Sequence, residues 1–117
     1  MRTEKQQERT IIFYKNYFRD FFRERKEAVR SKIILALKVV ESTPRLPESV
    51  FKHMEGTKGL YEIRLRTGSD IFRIFCFFDK GNLVVLANGF QKKDQKTPRR
   101  EIKKALKIKS EYESERS

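Results

Sequence analysis

Two arginines stand where simple strand patterning makes their charge informative. Arg73 is the only charged residue in the otherwise apolar run Ile71 to Phe78, and a charge on a buried strand needs a partner or a task. Arg64 lies on the polar side of the alternating run Leu60 to Arg66, with Glu62 and Arg66 beside it and Tyr61, Ile63 and Leu65 on the other side. A planar guanidinium pairs well with phosphate oxygens. A nearby lysine can move a proton once crowding by other cations disfavours its charged form. A cluster of arginine and lysine on one sheet face is therefore chemically able to hold RNA and to assist attack of a 2′-OH on its own phosphate without histidine. Two blander readings stand beside this one: a solvated strand face for Arg64, and an ion pair with Glu62 for Arg73.

Composition narrows the alternatives. The chain has 117 residues, enough for one domain with one modest core. Ten phenylalanines supply large buried area per residue and argue against disorder throughout. Lys+Arg of 28 against Asp+Glu of 16 gives a net charge of +12, which calls for an anionic partner: nucleic acid, an acidic protein or an anionic membrane surface. The single cysteine, Cys76, excludes an intramolecular disulfide and every multi-cysteine zinc site, and the single histidine, His53, excludes a histidine-rich metal centre. No metal or other cofactor is expected. The longest apolar runs, such as Ile33 to Leu37 and Ile74 to Phe78, are too short to span a bilayer, and Met1 to Thr10 has no signal-peptide core. The expected compartment is the cytoplasm, with no membrane partner.

The elements that must position these residues follow from periodicity. Residues 1–10 read as a flexible arm, 11–109 as a single domain and 110–117 as a fraying tail. Ile11 to Tyr14 reads as a short strand, with Asn16 a helix cap after it. Phe18, Phe21 and Phe22, then Val29, Ile33, Ala36, Leu37 and Val40, have helical spacing, as one long helix or as two with a turn near Arg25. Thr43-Pro44 ends that region, and Pro47 to Ser49 reads as a single helical turn carrying Val50, Phe51 and Met54. Leu60 to Arg66, Ile71 to Phe78 and Leu83 to Phe90, separated by polar turns, form an antiparallel meander. Thr97-Pro98 starts a last helix with Thr97 as cap, an apolar stripe of Ile102, Ala105 and Leu106, and a basic face of Arg100, Lys103, Lys104 and Lys107. That basic face either contacts RNA phosphates or is simply solvated.

This order of elements is that of small RelE/ParE-type toxins. The runs Gly59-Leu60-Tyr61-Glu62-Ile63-Arg64-Leu65-Arg66, Phe72-Arg73-Ile74-Phe75, Asn88-Gly89-Phe90-Gln91-Lys92-Lys93 and Gln95-Lys96-Thr97-Pro98-Arg99-Arg100-Glu101-Ile102 resemble the phage-derived Gp49-like, HigB branch of that superfamily. The likeness extends from Ile11 to Lys107 in element order and is sharpest from Gly59 to Ala105.

The resemblance implies an α+β, RelE-like fold: a curved antiparallel sheet of an N-terminal strand and a three-strand meander, packed against N-terminal helices, with a C-terminal helix. It implies the toxin of a type II toxin–antitoxin module, a ribosome-dependent mRNA endonuclease working without a metal. Its partners would be an antitoxin, in this branch often a helix-turn-helix HigA-type protein, and the ribosome with its message. Arg64, Arg73, Lys92 and Lys93 match catalytic basic positions; Arg66, Phe90, Lys96, Arg99, Arg100, Lys103, Lys104 and Lys107 are the expected RNA contacts. ParE-like relatives poison DNA gyrase instead, and a toxin fold retaining only binding is a third possibility. The chain departs from the RelE pattern in two ways. Glu62 replaces a lysine, and Tyr112 lies too far into the last helix to match the catalytic tyrosine, so acid and base stay unassigned.

Overall fold

The computed structural model describes residues 7–116, arranged as three helices and a 5-stranded sheet. Strand β1 spans Thr10–Phe13, helix α1 Tyr17–Arg23, helix α2 Glu27–Ser42, strand β2 Phe51–His53, strand β3 Leu60–Thr67, strand β4 Asp70–Phe78, strand β5 Leu83–Lys92 and helix α3 Arg99–Arg116. The strand order is β1-β5-β4-β3-β2.

The meander is as the alternation predicts: β3, β4 and β5 pair antiparallel. The sheet as a whole is mixed rather than antiparallel, because β1 runs parallel to β5, with Thr10 opposite Leu83 and Phe13 opposite Leu86. A fifth strand, β2, pairs antiparallel with β3 at the far edge. The turn expected at Pro47 exists, since the Val50 and Phe51 N–H groups donate to the Pro47 carbonyl at 2.9 and 3.0 Å, but Phe51 then enters the sheet. Alternation marks a strand and its faces; it carries no signal for strand direction, and three residues are too few to show a period.

The N-terminal helical region is two helices. Lys26 is extended (ψ 159°), which breaks the helix before α2. The Arg25 side chain donates from Nε to the Phe21 carbonyl at 3.1 Å and lies over the Phe21 ring, which closes α1. Asn16 occupies the N-cap position of α1 through its carbonyl, which accepts from the Asp20 N–H, and not through its side chain.

Both faces of the sheet are covered, but unequally. Helices α1 and α2 bury Phe18, Phe21, Val29, Ile33 and Val40 against Ile63, Phe72, Ile74, Cys76, Val84 and Leu86. Helix α3 lays Ala105, Ile108 and Tyr112 on Leu60, Phe75, Phe77, Val85, Ala87 and Phe90. The stripe therefore continues past Leu106, and α3 runs on to Arg116 through most of the segment expected as a tail. The Tyr112 hydroxyl donates to Asp79 Oδ2 at 2.7 Å, and Glu111 accepts from Tyr17 at 2.8 Å and from Lys15 at 2.6 Å.

Of the expected N-terminal arm, residues 7–10 are described. Residues 1–6 lie outside the described residues. Arg9 donates to the carbonyls of Val40, Thr43 and Pro44 at 3.0, 2.7 and 3.0 Å, satisfying the end of α2, and Thr10 already belongs to β1.

A bulge in β5 decides what points at α3. Ile74 pairs with Gly89 and Cys76 with Leu86, so Phe75 faces both Ala87 and Asn88. Asn88 is buried and donates to Glu101 Oε1 at 3.0 Å, tying β5 to the first turn of α3. On the opposite face Gly89 lies under the Phe21 ring, and a Cβ there would sit 2.5 Å from a ring carbon. Phe21 is itself packed against Phe18 and Phe72 and has little room to retreat. Gly89→Ala is expected to cost about 1–3 kcal/mol by overpacking. Urea unfolding measures it, and Phe21→Leu in the same chain should recover part of the loss.

Candidate functional site

Helix α3 covers only one end of its sheet face. At the other end the strand alternation brings Glu62, Arg64 and Arg66 of β3, Ile71 and Arg73 of β4, and Lys92 of β5 onto one side, as the register shows. Lys52 of β2 stands opposite Glu62. Arg64, Leu65, Arg66, Ile71, Arg73 and Ser49 line a depression of 330 Å³ on this face.

The register sets Arg64 directly opposite Arg73. Like charges in that position repel. Glu62 resolves the conflict: its Oε1 lies 3.3 Å from Arg64 Nε and 3.5 Å from Arg73 Nε. Its Oε2 accepts from the Thr97 hydroxyl at 3.2 Å. Thr97 was the expected cap of the last helix; its hydroxyl serves Glu62 instead, and the Pro98 carbonyl accepts the first helical N–H groups, from Glu101 and Ile102. Arg73 is 7% exposed and Glu62 3%, and the two form the ion pair that a lone charge on an apolar strand calls for. It does not saturate the arginines. Nη1 of Arg73 donates to the Phe72 carbonyl at 3.2 Å and Nη1 of Arg64 to the Glu48 carbonyl at 3.3 Å, each a single bond from a group with five N–H donors.

The field here acts on protons. Burial pushes the Arg73 guanidinium below its ordinary value; Glu62 opposes this, and Arg64 and Arg66 add to it. Arginine still stays charged. Burial likewise pushes the Lys92 ammonium below the usual lysine range, with Arg73, Arg64 and Lys52 acting in the same direction and Glu62 against them.

The other sequence-predicted residues are placed as follows. Lys93 is exposed and borders a second depression with Ser69, Asp70, Ile71, Gln91, Lys92, Asp94 and Gln95. Lys96, Arg99 and Arg100 are exposed at the approach to α3, and Lys103, Lys104 and Lys107 on its outer side. Phe90 is not open to a base: it is 7% exposed, with its ring 5.5 Å from that of Phe75 in the core under α3. His53 is exposed at the β2 edge, its ring edge-on to Tyr61. Cys76 is buried and its thiol is pushed far up by that burial, so it offers no nucleophile. Among the described residues no group of three or more His, Cys, Asp or Glu could hold a metal ion. No helix of the described residues is long and apolar enough to cross a membrane.

Two members of the site were missed. Lys52 was hidden inside what reads as a helical turn. Thr97, before Pro98, has the residue type of a helix cap. The Glu62-Ile63-Arg64 alternation did signal that a carboxylate shares the arginine face. In a titration followed by lysine side-chain NMR, Lys92 should show a midpoint below the ordinary value of about 10.4. Arg73→Gln, which removes the cation that opposes the Lys92 charge most strongly, should move that midpoint back up.

Comparison with curated proteins gives no match. The family model described as Phage derived protein Gp49-like (DUF891) matches residues 20–110, a span that includes every strand of the site and most of α3. The chain thus belongs to the phage-derived Gp49-like family, the RelE/HigB-type toxins of toxin–antitoxin modules, and an antitoxin is its partner.

Proposed function

We propose that this toxin is a ribosome-dependent mRNA endonuclease of the cytoplasm that arrests translation without a metal. The observation that carries the reading is the open sheet face, where Arg64 and Arg73 flank one buried carboxylate beside an acid-shifted Lys92.

In this mechanism the 2′-OH of a message nucleotide attacks the adjacent phosphorus. The bond to the 5′ oxygen of the next nucleotide breaks, and that oxygen takes a proton from solvent water, leaving a cyclic phosphate on one fragment and a 5′-OH on the other. Arg73 and Arg64 stabilise the extra phosphate charge, the role a preorganised planar donor serves best. Lys92 accepts the 2′-OH proton, since its neutral form is favoured by burial and neighbouring cations. Lys93 and Arg66 hold flanking phosphates. Lys96, Arg99, Arg100, Lys103, Lys104 and Lys107 hold ribosomal RNA. An antitoxin of the helix-turn-helix, HigA type would meet this +12 chain with an acidic surface, since opposite charges speed encounter.

Toxicity on induction and cleavage of message on purified ribosomes test the reading. Arg73→Ala should abolish both while the protein stays folded, and Arg64→Ala should weaken both, at about 2.7–4 kcal/mol per lost donor. Lys92→Arg keeps the charge but cannot accept a proton. It should lower kcat by about 100- to 10,000-fold and remove the limb of the pH profile along which the rate rises as Lys92 deprotonates.

Charge reversal at Lys103, Lys104 and Lys107 should weaken ribosome binding and flatten its salt dependence without moving the cut sites. Efficient cutting of naked RNA, or DNA damage with no cuts in message, would overturn the proposal; the second result is what a gyrase inhibitor gives.

A further inference from the structure

Glu62 is a buried carboxylate in the middle of a face built to receive phosphate, where its charge opposes the ligand. We infer that Glu62 is a positioning residue, which fixes the Arg64 and Arg73 guanidiniums so that their free donors meet the scissile phosphate together. The inference rests on the nuclease reading above.

Each guanidinium makes one hydrogen bond and one charge contact. Nη1 of Arg64 and of Arg73 donates to a main-chain carbonyl, of Glu48 and of Phe72, and Nε of each lies 3.3 and 3.5 Å from the same Glu62 oxygen, an ion pair without hydrogen-bond geometry. The bond and the charge contact together restrain each planar group and leave Nη2 for a ligand. Without the carboxylate the two cations, directly opposite in the β3–β4 register, would splay apart. Glu62 is fixed in turn: the Thr97 hydroxyl holds its second oxygen at 3.2 Å, from the segment that leads into α3. Donors fixed in advance need no reorganisation when charge develops on the phosphate, and this is what a preorganised site requires. Binding alone does not need them fixed, so Glu62 would serve the chemical step and slightly oppose affinity.

The test is Glu62→Gln, which keeps the shape and removes the charge, with Thr97→Val as a milder second variant. On ribosomes, Glu62→Gln should lose at least about tenfold in kcat with KM unchanged or lower. Its pH profile should also shift. Lys92 is faced by Arg73 on β4, Arg64 and Glu62 on β3 and Lys52 on β2, and Glu62 alone among them holds the proton on. Its loss moves the rising limb to lower pH, which a merely structural role would not do. Thr97→Val should stay folded and lose about two- to fivefold in kcat at unchanged KM.

Wild-type kcat in Glu62→Gln would overturn the inference. So would a Glu62→Gln that fails to fold together with a Thr97→Val of wild-type kcat. If the wild-type protein cuts no message, the nuclease reading falls by itself. The arginine Nε–H NMR signals then decide Glu62: fixed in the wild type and mobile in Glu62→Gln if it positions, unchanged in Glu62→Gln if it does not.

Discussion

One carboxylate makes the open face of this sheet possible. Arg64 and Arg73 are opposite one another across β3 and β4, and their register is set by apolar residues on the other side of the same strands. Ile63 opposite Ile74 and Leu65 opposite Phe72 bury against α1 and α2, and a slip of one residue would turn them into solvent. The arginines therefore cannot avoid each other by sliding. Glu62, two residues before Arg64 and so on the same face, is the group that lets them stay. Packing of one face thus dictates the electrostatics of the other.

Helix α3 links that pair to the rest of the molecule. Its apolar stripe covers Leu60, Phe75, Phe77, Val85 and Ala87, and its outer side carries Lys103, Lys104 and Lys107. Its start is pinned twice: Thr97 reaches Glu62, and Glu101 accepts from Asn88, which the β5 bulge turns toward it. Its far end is pinned by Tyr112 on Asp79 and by Glu111 on Tyr17 and Lys15. The carboxylate between the arginines is thereby linked through Thr97 to the helix that closes the core.

The sequence reveals those features that repeat. Alternation in Leu60 to Arg66 identifies both the strand and the face on which Arg64 lies, and the lone charge in Ile71 to Phe78 singles out Arg73. What it conceals is of three kinds. Direction has no periodic signature, so β1 was not seen to be parallel to β5. Strand β2 is too short to show a period, and Lys52 was missed with it. Side-chain partners chosen in three dimensions are also hidden. Thr97 before Pro98 has the residue type of a cap and serves a carboxylate 35 positions away. Phe90 has the residue type of a stacking platform, but the β5 bulge places it under Arg73's neighbour Phe75, in the core.

A site with no histidine has to obtain a titratable group in another way. His53 keeps its place at the β2 edge, against Tyr61 and away from the arginines. Lys92 is brought toward a useful range by its surroundings: partial burial first, then the combined field of Arg73, Arg64 and Lys52, less the opposing field of Glu62. The same cations that would hold a phosphate thus prepare the lysine beside it, and binding an anion there would partly cancel their field. An approaching phosphate raises the proton affinity of Lys92 as it docks, because a negative neighbour favours the charged form. In the proposed chemistry this strengthens Lys92 as a proton acceptor once substrate is in place, while in the free protein burial and the arginines hold its proton affinity down. The balance depends on keeping the arginines at fixed distances, and Glu62 is the residue placed to keep them there.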